Sequence, residues 1–161
     1  LPSWPPGPAA NIGVDMSHLD VPFRQIRASY TAETITVYQA YSPAIAEPAL
    51  AAGRFVEPFK RGRMTWIKPS ILWMAYRCGW ATKVDQERAL AIEITRDGFE
   101  WALAHASLSH HEAGTYADRG EWERAKAAAP VRIQWDPERD LHLRPLATSS
   151  HHEYIDQYGN Y

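Results

Sequence analysis

Ser42-Pro43 places a firm boundary in this chain. Before it, Thr34-Ile35-Thr36-Val37-Tyr38 is a run of β-branched and aromatic residues, which favours a strand. After it, Ile45, Ala46, Ala49 and Leu50 recur at helical spacing. Proline is excluded from a central strand, yet it costs nothing at the first helical position, where the N–H has no helical partner anyway. Ser42 suits the N-cap and Gly53 the stop. The pattern predicts a strand that turns into a helix, ending near residue 53. Gln39 is a polar side chain within that strand, with Tyr38 beside it and Tyr41 two residues on. An amide in an aromatic setting next to a helix start predicts one wall of a ligand site.

The rest of the chain leaves room for one domain. Its 161 residues are 45% hydrophobic, enough for a core. A net charge of -2 exerts no general pull on nucleic acid, although a local basic face remains open. The lone Cys78 rules out an internal disulfide framework and suits a reducing compartment. No apolar run approaches the roughly 18 residues of a membrane span, and no basic-then-apolar leader is present. The expectation is a cytoplasmic protein without a membrane partner. Seven Trp and eight Tyr supply core, and also walls that stack planar ligands.

Three regions are predicted. Residues 1–22 form a Pro-rich arm, expected to be extended, in which Met16 is a candidate start. Residues 23–146 form an α+β catalytic-like domain, and residues 147–161 a polar, aromatic tail. Within the domain, Arg24 and Arg27 precede the first strand, and a basic cluster, Lys60, Arg61 and Arg63, precedes a short strand at Met64–Lys68. Pro69 and Ser70 then open a helix that is apolar nearly all round, through Trp80, and so is expected to be buried. Arg88–Thr95 alternates as a strand with Glu93 in its middle. A helix follows over Phe99–Leu108, with Phe99, Leu103 and Ala106 facing inward. After a polar loop, a short helix over Glu121–Ala129 precedes the strand Val131–Trp135. Asp136-Pro137 reads as a turn and Leu141–Leu146 as a last short strand. Elements alternate irregularly, which favours α+β over a doubly wound parallel sheet.

Most standard chemistries find no support. His110-His111-Glu112 and His151-His152-Glu153 repeat one tripeptide, but neighbouring residues on a strand face opposite ways, and no Cys-x-x-Cys or His-Glu-x-x-His accompanies them. No metal is expected. Cys78 lies in an apolar helix and reads as inert. There is no Gly-x-Ser-x-Gly elbow, no P-loop and no Gly-x-Gly-x-x-Gly.

The opening stretch carries a resemblance. Val37-Tyr38-Gln39-Ala40-Tyr41-Ser42-Pro43, with Ala46, Leu50 and Gly53-Arg54-Phe55, resembles the first block of ADP-ribosyltransferase-like domains, which runs Tyr-His-Gly-Thr-Ser, a helix, then Gly-Phe. Gln39 stands at the histidine, Ala40 at the glycine and Tyr41 at the threonine. Thr65–Ser70 with Ala75 and Tyr76 resembles the second block. Val131–Pro137 resembles the third, whose strand bears the family's catalytic glutamate; here its polar residues are Arg132 and Gln134. More closely, Arg24–Ala28, Tyr38–Ser42, Met64–Ser70 and Gln134–Leu141 resemble domain of unknown function family 4291, over about residues 23 to 146.

The wider resemblance implies an α+β single domain with an ADP-ribosyltransferase-like split antiparallel sheet and flanking helices. It implies NAD as cofactor and a nucleotide or NAD-like partner, with a nucleic acid or small molecule as acceptor. Gln39, Tyr41, Arg132 and Gln134 would be the catalytic set. Arg24, Arg27, Gln39, Trp66, Lys68, Ser70 and Tyr76 would hold the cofactor: amide to amide, ring on ring, and cation to pyrophosphate. Without the glutamate, a catalytically inactive nucleotide- or RNA-binding module on the same fold stands beside transfer, as does an enzyme of unrelated chemistry with aromatic walls. For Gln39 a buried amide tying a strand edge stands beside the ligand role. Core packing stands beside it for Tyr76, Trp66 and Trp135.

Overall fold

The strand before Ser42-Pro43 forms as the pattern demands. In the computed structural model, which describes residues 24–137, His142, Arg144 and the backbone of 151–157, β1 runs over Thr34–Tyr41. Ile35, Val37, Gln39 and Tyr41 are buried, and the residues between them are half-buried. Strand β3, Arg88–Thr95, pairs antiparallel with β1 and sets Ile94, Ile92 and Leu90 opposite Ile35, Val37 and Gln39. This face of the two-stranded sheet is apolar from the Ile35–Ile94 pair to Leu90, is broken by Gln39, and ends at the Tyr41–Arg88 pair. Glu93 points the other way and is exposed.

Four more strands make the second sheet. Their order is β2 (Thr65–Ile67), β6 (His151–Gln157), β5 (Val131–Pro137) and β4 (Ala106–Leu108). The β4–β5 pair is parallel and the others are antiparallel. Among the described residues, one antiparallel bridge joins the two sheets. Tyr38 donates its N–H to the Lys68 carbonyl at 2.8 Å, and Lys68 donates back to Tyr38 at 3.1 Å. The core lies where the sheets face α3, Arg96–Ala104: Ile35, Val37, Ile67, Phe99, Ala102 and Val131 pack together. The result is an α+β single domain.

Local signals explain the helix boundaries. Helix α1, Pro43–Ala52, has proline in its first turn and ends at Gly53, whose φ of 65° is left-handed and cheap for glycine. Ser42 occupies the N-cap, but its hydroxyl makes no capping bond. In α3 the Thr95 hydroxyl accepts from Gly98 N–H at 3.2 Å. In α4, Arg119–Ala128, the Asp118 carboxylate accepts from Glu121 N–H at 2.8 Å. Such caps contribute about 1 kcal/mol each.

Several expectations are corrected. Part of the tail is a strand: residues 151–157 form β6, placed between β2 and β5. A polar run becomes a strand there because backbone groups on both neighbours pair with it, with Ile155 in register with both Ile67 and Ile133. The helix expected over Phe99–Leu108 stops at Ala104, because residues 106–108 pair with β5. Ala102, not Ala106, is its second fully buried residue after Phe99. Asp136 and Pro137 continue β5 instead of turning. Helix α2, Ile71–Arg77, is not buried all round: Met74 and Cys78 are inside, while Ile71, Tyr76 and Trp80 are exposed. Leu50 in α1 is likewise exposed. Of the strand expected over 141–146, only His142 and Arg144 are described, and neither is in a strand. The arm over residues 1–22 lies outside the described residues.

Candidate functional site

Past the Tyr38–Lys68 bridge, β1 and β2 no longer share backbone hydrogen bonds, and the Gln39 side chain fills the gap. Its Nε2 donates to Thr65 Oγ1 at 3.2 Å and to the Trp66 carbonyl at 3.3 Å, while its Oε1 accepts from Tyr41 Oη at 3.1 Å. Gln39 is only 4% exposed. Both amide hydrogens serve the protein itself, so the amide's evident task is to hold β2 against β1 where the ladder has ended. This is the strand-tying role that sequence reasoning set beside a ligand role.

Cavities open on both sides of this junction. The first, about 440 Å³, lies between the sheets. Val37, Ile67, Ile92, Ile94 and Phe99 make apolar walls, and Gln39 and Thr65 supply polar atoms. Phe55, Phe59, Arg61 and Arg63 complete the lining, and both arginines are exposed. The second, about 490 Å³, shares Gln39, Phe59, Arg63 and Thr65 with the first. It adds Lys60, Arg77, Asp85, Gln86, Ser42 and Trp66.

An aromatic cluster fixes the partition. Phe55 and Phe59 stack with centroids 4.1 Å apart, and both meet the Tyr41 ring edge-on, at 5.5 and 5.8 Å. The Tyr41 ring is thus packed among side chains rather than offered to a ligand. Burial raises the Tyr41 phenol above its ordinary value, opposed by the Thr65 hydrogen bond and the Arg63 charge. It stays protonated at neutral pH and is not a base.

The remaining predicted residues separate from this junction. Trp66 and Arg132 both stand opposite Asp156, so strand alternation puts Trp66, Lys68, Arg132 and Gln134 on one face of the second sheet. Ile67, Val131 and Ile133 take the opposite, buried face. Gln134 Nε2 donates to both Asp136 carboxylate oxygens at 3.2 Å. Arg132 Nη1 reaches Met64 Sδ at 3.9 Å. Lys68 is buried, and its ammonium is pulled down to about 7, by burial first and by Arg77 second, against the opposing pull of Asp136. Of this group, Trp66 lines the second cavity and the other three line neither.

Elsewhere the predicted set serves local structure. Arg24 forms an ion pair with Glu112 and lies 5.4 Å over the Trp135 ring, which fastens the N-terminal segment to the second sheet. Arg27 Nε donates to Gln25 Oε1 at 3.2 Å. The Ser70 hydroxyl caps α2, accepting from Trp73 N–H at 3.4 Å. Tyr76 is exposed and meets Trp73 edge-on at 5.8 Å. The sequence pointed to the basic cluster, and to Phe55 and Thr65 only as members of the resembling blocks and not as site residues; it did not point to Phe59 or Arg77. Phe55 and Phe59 carry a signal, two aromatics between a helix stop and that cluster. Arg77 carries none, because it reaches the cavity from α2.

Among the described residues no group of His, Cys, Asp and Glu could hold a metal ion, and no helix is long and apolar enough to cross a membrane. No curated protein and no solved structure matches the chain. Residues 25–153 match the family described as domain of unknown function (DUF4291), and the chain belongs to that family.

Proposed function

We propose that the chain binds a ring-bearing, negatively charged small molecule of the nucleotide class, NAD among them, in the cavity between its two sheets. The observation that carries this reading is the lining: apolar walls for a planar body, the Thr65 hydroxyl as a polar atom, and the exposed cations Arg61 and Arg63. A volume of about 440 Å³ suits a small organic ligand. The reading takes the two sheets, joined at Tyr38–Lys68, as a split sheet of the ADP-ribosyltransferase type. Transfer of ADP-ribose to a nucleic acid or small molecule is its finer form.

Two observations favour binding without transfer, on the same fold. Among the described residues that line the cavity between the sheets, none is a carboxylate that could polarise a ribose hydroxyl. Tyr41, which lines the neighbouring cavity, has a phenol raised further by burial and is protonated at neutral pH, so it is no base. Calorimetry and thermal shift with NAD, ADP-ribose and short 5′- or 3′-phosphorylated RNAs test the proposal. A ligand at a hundred times its Kd should stabilise the fold by about 2.7 kcal/mol. If every nucleotide fails in both assays, the proposal falls. Release of nicotinamide from bound NAD would distinguish a transferase from a binding module.

A further inference from the structure

The second cavity differs in kind from its neighbour. Lys60, Arg63 and Arg77 bring three cations against the one carboxylate of Asp85, leaving a net charge of +2 in its lining. Among the described residues, no ion pair takes up any of these three cations. Ser42 and Ile45 place the start of α1 against the same cavity, and the first turn of that helix carries no acidic residue. Its amide dipoles add positive potential there. Like charges that face one cavity repel one another, and an anion between them relieves that repulsion.

We propose that this second cavity is a phosphate site, so that the ligand of the cleft is a phosphorylated nucleoside. Its ring system would occupy the cavity between the sheets and its phosphate would lie among Lys60, Arg63 and Arg77. The inference rests on the reading of the first cavity as a ring site. Charge supports it: a phosphate monoester carries about -1.5 to -2 at neutral pH. Arg63 lines both cavities, so it stands where ring and phosphate would join. A guanidinium there can hold two phosphate oxygens side by side. Asp85 and Gln86 supply acceptors suited to sugar hydroxyls.

Calorimetry on the full chain with adenosine, adenosine 5′-monophosphate and inorganic pyrophosphate tests this, alongside Arg77→Gln and Lys60→Gln. Both side chains are exposed, and circular dichroism melts check that each variant is folded. The monophosphate should bind roughly tenfold or more tighter than adenosine, with an advantage that shrinks as salt rises. Each variant should weaken the monophosphate about tenfold more than it weakens adenosine. Equal binding of adenosine and its monophosphate, or equal losses for both in the variants, overturns the phosphate site and leaves the ring site standing. Binding of pyrophosphate alone, lost in Arg77→Gln, keeps the phosphate site and overturns the ring site. Failure of all three probes overturns both.

Discussion

Replacing Lys68 with methionine should stabilise the fold, and most strongly at low pH. The side chain is 6% exposed, and its pKa falls from 10.5 to about 7. Burial is the main cause and Arg77 the second, while Asp136 pulls the other way. In the unfolded chain the amine regains its ordinary value. Between those two values the unfolded state holds a proton that the folded state gives up, so stability rises with pH across that window. Below about pH 7 both states are protonated and the full cost of a buried ammonium is present. A tenfold change in proton affinity is worth about 1.4 kcal/mol, so the whole effect is about 4 to 5 kcal/mol. From pH 6 to pH 9, wild type should gain about 2 to 3 kcal/mol through this group. Methionine keeps much of the aliphatic stem and carries no charge. Urea denaturation of both proteins at several pH values between 6 and 9 measures the difference. The variant should be more stable at pH 6, with a gap that narrows toward pH 9. A gap of the same size at both ends would show that Lys68 carries no desolvation cost, and would refute the reasoning.

Three further substitutions test the junction and the backbone. Gln39→Ala removes three hydrogen bonds from a buried site and should cost about 2 to 4 kcal/mol by chemical denaturation. Unchanged stability with lost ligand binding would instead return Gln39 to a ligand role. Gly98→Ala would set a Cβ 2.7 Å from Thr95 Oγ1. The cap must shift, and a loss of about 1 kcal/mol should appear as a lowered melting temperature. Ala81→Gly should raise stability by about 1 kcal/mol, because Ala81 is exposed and holds a φ of 65°, where glycine is less strained. A lower melting temperature in that variant would contradict this.

How much was legible in the sequence depended on how far each determinant reached along the chain. Thr34–Tyr41, the Ser42-Pro43 start, the Gly53 stop and the Arg88–Thr95 strand all rest on residues within a few positions of one another. Each formed as read. Gln39 stood out as the one polar residue on a buried strand face. Its partners did not, because Thr65 and Trp66 are 26 and 27 residues away. The basic cluster was visible as Lys60, Arg61 and Arg63. That Arg63 would line two cavities, and that Arg77 would join it from another helix, depended on where the sheets part.

The sequence by itself determined β1, the ends of α1, β3, the polar break at Gln39 and membership in the family, since propensity, capping and motif spacing act over a few bonds. Only the tertiary structure decided the rest. A polar run at 151–157 became an inner strand because two neighbours offered unpaired backbone groups. Trp66, Lys68, Arg132 and Gln134 came to share one sheet face through register with β6. The cleft opened because β1 and β2 join at only one bridge, beyond which a side-chain amide takes the place of the backbone ladder. Strand pairing between distant segments chooses among many partners of similar local fitness, and only the packed whole makes that choice.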